Sequence, residues 1–206
     1  MNNNSITPSE KENEAKNLLT SEEFEKLKKY FGISKENFSK QTNQYFIDKG
    51  NKILTTLPAG TTLRVREKSG KKELQFKLPT DDGTDEYHYD MNNEEVYNKL
   101  VISGFLPDGK VSEKLLSLGI EGPYLYKGQV HTHRAETKAT SLNTWEGVTI
   151  CLDESYYPNG SKDFEIEIES GSMKMSNTVL RDILNMFNIP RRVAKNKVTR
   201  FLESIS

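Results

Sequence analysis

The chain of 206 residues lacks several features that would place it in a common class of protein. Cys151 is its only cysteine, which excludes an internal disulfide bond. No apolar run approaches the roughly 18 residues that a membrane-spanning helix needs. The first residues contain neither the basic nor the apolar region of a secretion signal. From these absences we expect a cytoplasmic protein, since a reducing compartment suits a chain without disulfides.

An excess of charge of one sign is also absent. The 29 Lys and Arg residues balance 30 Asp and Glu residues, and the formal net charge is −1. This balance argues against a protein that binds polyanions through bulk charge. The chain has neither a Walker-type Gly-Lys-Ser/Thr loop nor a Gly-x-Gly-x-x-Gly motif, so it cannot hold phosphate as those folds do. The positions of the charges therefore have to indicate the function.

Apolar periodicity and turn signals predict one α+β domain over residues 1–206, with residues 1–10 as a flexible lead. The predicted strands lie at residues 12–17, within 41–78, and at 85–91, 125–140, 147–153 and 162–170. The predicted helices lie at residues 20–31, 93–104, 112–118, 179–187 and, with Pro190 as the starting residue, 190–205. Thr20 and Glu23 form a capping box at the start of the first helix. This order predicts many antiparallel strands with a few helices on their outside.

Polar and mostly charged residues recur at every second position of the predicted strands, and residues two apart share a face. The sets are Glu12, Glu14 and Lys16; Arg64 and Arg66; Gln75 and Lys77; Arg134, Glu136 and Lys138; and Glu165, Glu167 and Glu169. Half-buried strands ordinarily alternate polar and apolar residues. Several of these sets, however, are purely basic or mostly acidic, and carboxylates crowded on one face need cations nearby. A bound metal ion would meet that need.

Lys197 is a further candidate, because the spacing of Val193, Lys197 and Phe201 places it near the buried stripe of the last predicted helix. A lysine in that position can also extend along the apolar surface and reach water. Lys195, two residues earlier, is the alternative functional lysine, although it falls off the stripe.

Taken together, these residues resemble the CYTH superfamily, the triphosphate tunnel metalloenzymes. Glu12-Asn-Glu-Ala-Lys16 matches the Glu-x-Glu-x-Lys opening of that family. The further elements follow in the family's order: Arg64-Val-Arg66, Lys77, Arg134-Ala-Glu136, Asp153, Glu165-Ile-Glu167 and Lys197. The sequence is most similar to small bacterial CYTH proteins related to thiamine triphosphatase. This resemblance implies a closed eight-stranded antiparallel β-barrel, a tunnel with a charged interior and with helices on the outside.

The resemblance also implies metal-dependent hydrolysis of the terminal phosphoanhydride of inorganic tripolyphosphate, thiamine triphosphate or a nucleoside triphosphate. It assigns metal binding to Glu12, Glu14, Glu165 and Glu167, and substrate binding to Lys16, Arg64, Arg66, Lys77, Arg134 and Lys197. Asp153 and Glu136 are the candidates for a second metal or for positioning the attacking water, with Lys16 as a further catalytic residue. Oxygen ligands favour Mg²⁺ or Mn²⁺. Glu169 prolongs the acidic strand, so the metal pair could instead be Glu167 and Glu169.

Other functions remain open at this point. A non-catalytic sensor of nucleotides or polyphosphate would use the same cations, and a class IV-type adenylate cyclase would use the same fold. A nucleic-acid patch would consist of Arg191, Arg192, Lys195, Lys197 and Arg200. His131 and His133 share a strand face and could ligate a transition metal. That face is opposite Arg134 and has no third ligand nearby, so we expect no metal there, and we expect neither nucleic acid nor a membrane as a partner.

Overall fold

The computed structural model describes residues 6–138 and 145–206. In these residues the strands are β1 (Glu10–Glu12), β2 (Glu14–Leu19), β3 (Phe38–Asp48), β4 (Thr62–Lys68), β5 (Lys71–Thr80), β6 (Gly83–Asp90), β7 (Tyr124–Lys138), β8 (Thr149–Tyr156) and β9 (Lys162–Glu169). The helices are α1 (Ser21–Tyr30), α2 (Lys52–Thr55), α3 (Glu94–Ser103), α4 (Lys110–Ser117), α5 (Met173–Phe187) and α6 (Lys197–Ser204), with a 3₁₀ turn at Lys35–Asn37. The first five residues of the predicted lead and the last two residues of the strand predicted at 125–140 lie outside the described residues.

The nine strands of the described residues form one sheet in the order β1-β6-β5-β4-β3-β7-β8-β9-β2. The pairs β2/β9, β4/β5, β5/β6, β7/β8 and β8/β9 are antiparallel. The two ends of this order, β1 and β2, follow one another along the chain. The fold is therefore an α+β fold built on a nearly closed antiparallel β-barrel, as predicted, with nine strands in place of the expected eight.

The additional strand arises because the chain is interrupted at Asn13. The Asn13 carbonyl accepts hydrogen bonds from the Ser170 amide at 3.2 Å and from the Ser176 hydroxyl at 2.8 Å. Residues before Asn13 pair with β6, and residues after it pair with β9. A strand predicted as one segment at residues 12–17 is thus divided between two partners.

The chain divides into two compact units. The first unit consists of residues 1–11 and 42–129. One face of its β4 and β5 strands is apolar, with Leu63, Leu74 and Phe76 buried. Leu100 of α3 and Leu115 of α4 belong to the same cluster. Fully burying a side chain of this size stabilises a fold by about 1.5–3 kcal/mol, so the helices are fixed to this face of the sheet.

The second unit consists of residues 12–41 and 130–206. The apolar face of its strands carries Ala15, Leu152 and Ile166, all buried. Leu27 of α1 and Ile183 of α5 belong to the same cluster. In this unit, as in the first, the helices cover the apolar side of the strands, which leaves the other side of the strands to the polar and charged residues.

The predicted helix starts at Thr20 and Asn93 are confirmed. Thr20 Oγ1 accepts a hydrogen bond from the Glu23 amide at 3.2 Å, and the Glu23 carboxylate accepts one from the Thr20 amide at 2.7 Å. Asn93 caps α3 by accepting from the Glu95 amide at 3.0 Å. Gly104 ends α3 with φ +71°, where an added Cβ would lie 2.7 Å from the Tyr124 carbonyl oxygen. Glycine is therefore required at this position.

The prediction of a helix that starts at Pro190 is wrong, because α6 begins only at Lys197. The Asn17 side chain of β2 donates a hydrogen bond to the Pro190 carbonyl at 3.2 Å and accepts one from the Arg192 amide at 2.6 Å. A helix starting at Pro190 would use the Pro190 carbonyl for an intrahelical hydrogen bond, whereas here the Asn17 side chain binds this carbonyl and fixes the segment to β2.

The sequence analysis missed the short helix α2. The Asp48 carboxylate accepts hydrogen bonds from the Lys52 and Ile53 amides, each at 2.9 Å. Asp48 had been interpreted only as part of a turn.

Among the helices of the described residues, none combines the length and the apolar character needed to cross a membrane.

Candidate active site

The charged residues of β2, β7, β8 and β9 lie on one face of the second unit. The register places Asp153 opposite both Arg134 and Glu165. Lys16 lies opposite Glu167. The apolar residues of the same strands occupy the other face, so the prediction from the period of two is confirmed for these strands.

Arg134 lies in the middle of this face and binds carboxylates on two strands. Its Nε atom is 2.7 Å from Asp153 Oδ1, and its Nη2 atom is 2.7 Å from Asp153 Oδ2. Nη2 also donates to the Glu167 carboxylate. Arg134 is only 8% exposed and Asp153 is fully buried. The guanidinium, which the family resemblance assigns to substrate, is thus held by protein carboxylates in this structure.

Lys197 joins this group from the start of α6. Its Nζ atom lies 2.6 Å from Asp153 Oδ2, 3.6 Å from Glu165 Oε1 and 3.7 Å from Glu167 Oε1. The side chain is only 12% exposed, in line with the predicted position near a buried surface. The predicted helical stripe is wrong, however, because Val193 precedes the helix and is 84% exposed.

The alternative lysine lies elsewhere. Lys195 pairs with Glu203 at 2.5 Å on the surface, where its side chain is 63% exposed. The structure therefore brings Lys197 and not Lys195 to the charged face.

Arg200 also belongs to this site, although the sequence analysis did not assign it there. Its Nη2 atom donates to Glu165 Oε2 at 2.8 Å, and its Nη1 atom lies 3.1 Å from Asp163 Oδ2. Two signals could have identified these residues. Arg200 is three residues after Lys197 on the same helix, so both side chains share a helix face. Asp163 precedes Glu165 by two residues and so shares its strand face.

The carboxylates of this face differ in their affinity for protons. Burial raises the pKa of Glu165 to about 8, although the charge of Lys197 opposes this effect. Burial acts in the same direction on Asp153, but the charges of Arg134 and Lys197 outweigh it and lower the pKa of Asp153. The same two cations hold the pKa of Glu167 well below its ordinary value, also against the effect of burial. Glu167 and Asp153 are therefore ionised at neutral pH.

Two acidic clusters in the second unit could hold a metal ion. In each of them, one carboxylate oxygen from every member lies within 4.8 Å of the others. The buried acidic cluster consists of Asp153, Glu165 and Glu167. The half-buried acidic cluster consists of Glu12, Glu14 and Glu169. The structure thus separates Glu12 and Glu14 from Glu165 and Glu167, which the resemblance had assigned to metal binding together.

Lys16 lies beside the half-buried acidic cluster and donates a hydrogen bond to Glu14. Burial lowers its pKa, but the charges of Glu14, Glu167 and Glu165 outweigh that effect and raise it. Lys16 is therefore charged at all physiological pH values. As a fixed positive charge it can bind a phosphate oxygen but cannot accept a proton.

The ligand atoms of both acidic clusters are oxygens. Cys151 is on the same face, with its Sγ atom 3.6 Å from Glu169 Oε1, but burial raises the pKa of its thiol. A protonated thiol is a poor metal ligand. The donor set therefore fits hard divalent cations such as Mg²⁺ and Mn²⁺.

Glu136 also lies on the charged face, opposite Cys151. It is exposed and belongs to neither acidic cluster. Glu136 is therefore more accessible to water than Asp153, which is fully buried.

The first unit has a charged face of its own. Arg64 is opposite Gln75 in the register, and its Nε atom donates to Gln75 Oε1 at 2.8 Å. Arg66 Nε donates to Asn43 Oδ1 at 3.0 Å, and Lys77 forms an ion pair with Glu86.

Arg64 is 6% exposed, and its Nη2 atom has no hydrogen-bond partner among residues 6–138 and 145–206. Burying an unsatisfied donor costs about 1–3 kcal/mol, so Arg64 is a strong candidate for binding an anion.

His131 and His133 lie on the face opposite Arg134, as expected, because His133 pairs with Glu154 in the register while Arg134 pairs with Asp153. Neither histidine belongs to any of the potential metal clusters found in the described residues.

The cations of the suggested nucleic-acid patch are engaged within the chain. Arg192 binds Glu23 at 2.6 Å, and Lys195, Lys197 and Arg200 form the ion pairs given above. Arg191 donates to the Asn17 side chain at 3.0 Å. These contacts do not favour a patch that is committed to nucleic acid.

A family model for the CYTH domain matches residues 10–202. A protein of Bacillus subtilis (strain 168) named "Putative triphosphatase YjbK" is 36% identical over 192 residues, which make up 92% of this chain and 93% of the relative. A solved structure of a "putative adenylate cyclase" from Bacillus halodurans has a TM-score of 0.82 at 28% identity, and the match covers 93% of this chain and 97% of that one. HpAC1 from Hippeastrum has a TM-score of 0.75 at 18% identity, with 95% and 97% covered.

The sheet order and the acidic clusters define an antiparallel barrel protein with ionic faces on its strands. The family-model match over residues 10–202 and the 36% identity to the Bacillus subtilis relative show that the chain belongs to the CYTH domain family.

Proposed function

We propose that this protein hydrolyses the terminal phosphoanhydride of a triphosphate and that the reaction needs a divalent cation. The name of the Bacillus subtilis relative supports triphosphatase activity. The observation that carries the proposal is the meeting of three carboxylates, Glu12, Glu14 and Glu169, beside the cations Lys16 and Arg134. This combination suits phosphoryl transfer, because catalysis of that reaction depends mainly on positioning and on charge stabilisation.

The half-buried acidic cluster is the better metal site of the two. Its three carboxylates are partly open to solvent, so an ion can reach them. Lys16 contacts Glu14 in this cluster, and Arg134 lies 3.4 Å from Glu169. In the buried acidic cluster, the carboxylates are bound by three cations, Arg134, Lys197 and Arg200, at 2.6–2.8 Å. A cation entering there would have to displace them. In this proposal Glu169 replaces Glu165 as a metal ligand, which is the alternative that the sequence left open. Glu165 and Glu167 bind a second ion only if the basic residues move away from them.

A divalent cation bound by the half-buried acidic cluster would supply positive charge to the phosphate oxygens and orient a water molecule. The side chains of the protein neutralise charge and position the reacting groups. Lys16, Arg134 and Lys197 neutralise the negative charge that develops on the terminal phosphate. Asp153 positions Arg134 and Lys197, because both of its oxygens bind them. We assign the orientation of the attacking water to Glu136, the accessible carboxylate of this face.

The first unit has candidate phosphate-binding cations of its own. Arg64 has a free donor atom, and Arg66 and Lys77 share its strand face. A guanidinium binds phosphate oxygens through two parallel hydrogen bonds, so Arg64 is the first choice among them.

The test is a panel of phosphate-release assays with tripolyphosphate, thiamine triphosphate and ATP, in the presence of Mg²⁺ or Mn²⁺ and of EDTA. We expect metal-dependent turnover of at least one substrate, and we expect Glu12→Ala and Arg64→Ala to lower it strongly. Glu121→Ala and Lys127→Ala, at exposed positions of the first unit, are matched controls. Normal turnover in both test variants would refute the site, and no phosphate release from any substrate would refute the activity.

Adenylate cyclase activity is the second candidate, since the Bacillus halodurans structure with 28% identity is described as such an enzyme. The same assay separates the two. A cyclase releases pyrophosphate and cyclic AMP from ATP and leaves tripolyphosphate intact.

A further inference from the structure

A pocket of about 550 Å³ lies along α5, and none of its lining residues has a role in the mechanism proposed above. These residues come from α5 and from the segment that follows it, and all of them belong to the second unit. Helix α5 covers the apolar side of the strands, whereas the charged face is on their other side. A ligand in this pocket would therefore be separate from the triphosphate, and the volume is typical of sites for small organic molecules.

The floor of the pocket is apolar. It is formed by Leu180, Leu184 and Ile189, each of which is at most 5% exposed. Leu180 and Leu184 are one turn apart on α5, and the Ile189 amide donates a hydrogen bond to the Leu184 carbonyl at 2.8 Å, which holds Ile189 beside them. An apolar group in the pocket would cover the part of this floor that still faces the cavity, which favours binding.

The rim of the pocket is positively charged. Its charged lining residues are Lys174, Arg181 and Arg191, all at exposed positions. Among the described residues 6–138 and 145–206, no acidic residue lines it. Lys174 and Arg181 are seven residues apart on α5, so they lie two turns apart on one face of the helix. Three cations without a carboxylate among them indicate an anionic ligand.

Arg181 has a competing contact outside the pocket, since its Nη2 atom lies 3.2 Å from Asp182 Oδ1. These two side chains are 65% and 41% exposed, and an ion pair between exposed side chains contributes little to stability. Arg181 can therefore turn to a ligand at low cost. An inorganic polyphosphate would satisfy the rim but would leave the floor in contact with water. The pocket therefore suits an anionic group that is joined to an apolar body.

Arg191 connects this pocket with the strand that carries Lys16. Its Nη1 atom donates to the Lys16 carbonyl and, at 3.0 Å, to Asn17 Oδ1. Both acceptors are uncharged. A phosphate or carboxylate can instead bind a guanidinium through two parallel, charge-assisted hydrogen bonds. An anion in the pocket should therefore draw Arg191 away from β2 and leave Lys16 less firmly held.

We propose that this pocket binds an amphiphilic organic anion, a phosphate or carboxylate group on an apolar body, and that the bound anion weakens substrate binding through Arg191 and Lys16. The anionic group binds the cations of the rim, and the apolar body lies on the floor. Nucleoside monophosphates and fatty acids both have this chemistry. The binding site does not depend on the proposed triphosphatase function, whereas its effect on the substrate rests on that function.

Binding is measured by titrating the full chain with the fluorescent dye anilinonaphthalene sulfonate, an aromatic anion. Lys174→Glu and Arg181→Gln should each raise the Kd of the dye about tenfold. Both positions are exposed, and an acidic residue in the first turn of α5 suits the helix dipole, so these variants should fold. Lys29→Glu, at an exposed position of α1 in the same unit, is the matched control and should bind the dye as the wild type does.

AMP or decanoate should displace the dye, and the more effective of the two identifies the apolar body of the ligand. Equal Kd values in all four proteins would overturn the site. Failure of both compounds to displace the dye would overturn it as well. So would displacement by tripolyphosphate at the concentrations that suffice for AMP or decanoate, because a surface that binds any polyanion would give that result.

The effect on the substrate is tested by steady-state kinetics with the triphosphate that the phosphate-release panel identifies. The compound that displaces the dye should raise KM at least fivefold in the wild type, and the rise should level off once the pocket is saturated. Lys174→Glu should need about tenfold more of the compound for the same rise. An unchanged KM, a rise without a plateau, which indicates competition at the active site, or an equal response in Lys174→Glu would overturn the coupling. No turnover of any triphosphate would refute the triphosphatase function, and dye binding would still test the pocket.

Discussion

Arg134 and Asp153 face each other across β7 and β8 and are joined by two parallel hydrogen bonds of 2.7 Å each. The same aspartate accepts a hydrogen bond from Lys197 at 2.6 Å, which ties α6 to the strands of the second unit. A buried network of this kind is costly to disrupt, because removing one member leaves the others charged and unpaired. It follows that side chains proposed to bind the substrate also stabilise the fold.

Arg134→Ala should therefore destabilise the protein by about 3–5 kcal/mol. Arg134→Lys retains the charge but cannot form both bonds to Asp153, so its cost should fall between that of the alanine variant and zero. Urea denaturation monitored by circular dichroism measures these differences. Lys138→Ala, at an exposed position of the same strand, is the control. Equal stability of Arg134→Ala and the control would show that the network contributes nothing to the fold.

In contrast to Arg134→Ala, the variant Glu12→Ala should lose activity without losing stability. Glu12 lies in a cluster with Glu14 and Glu169, and replacing one of three neighbouring carboxylates removes mutual repulsion. We expect the melting temperature to be unchanged or higher and the triphosphatase rate to fall about 100-fold. A collapse of thermal stability would instead assign Glu12 a structural role.

Variants in the two acidic clusters should differ in their effect on metal binding. Mn²⁺ at about 100 times its Kd should raise the melting temperature of the wild type by about 5 °C or more. Glu169→Gln should abolish this shift, whereas Glu165→Gln should retain it, because Glu165 is bound by Arg200 in the buried acidic cluster. The reverse result would move the metal site to the buried acidic cluster.

The period of two in the strands allowed the charged face to be predicted from sequence. Lys16, Arg134 and Glu167 were each assigned to the charged face of their strand from alternation alone, and the register brings these faces together. Alternation does not reveal which carboxylates meet, because that depends on strand pairing. The half-buried acidic cluster joins Glu12 and Glu14 to Glu169, whereas the resemblance paired them with Glu165.

Contacts between distant parts of the chain account for what the sequence analysis missed. The side chain of Asn17 binds the backbone at Pro190 and Arg192, and no local signal near Pro190 indicates this contact. The helix predicted there is absent for that reason. Asp163 was recoverable, since extending the alternation of β9 by two residues would have included it.

The capping box of α1 gives a prediction about local stability. Thr20→Ala removes the hydrogen bond to the Glu23 amide and should cost about 1 kcal/mol, which lowers the melting temperature by about 2–4 °C. Glu23 also binds Arg192, so the loss should not abolish folding. Ser21→Ala, one residue later and exposed, should have little effect. Equal melting temperatures for the two variants would contradict the role of Thr20.

His88 should make the stability of the protein depend on pH. The hydrogen bond to Glu86 raises the pKa of His88 above its ordinary value of 6.5, against the effect of burial, and the charge of Glu73 raises it further. The folded state then binds more protons than the unfolded state between pH 6.5 and the raised pKa. The stabilisation is complete below that window and is lost as the pH rises through it.

The measurement is the melting temperature of the wild type and of His88→Gln from about pH 6 to pH 9, a range that spans the ordinary histidine pKa. The decline of the wild type with rising pH should be smaller in the variant. His131→Gln provides the opposite control. Burial lowers the pKa of His131, so this residue makes stability rise with pH, and its removal should make the decline steeper. Identical slopes in all three proteins would mean that neither histidine is coupled to folding.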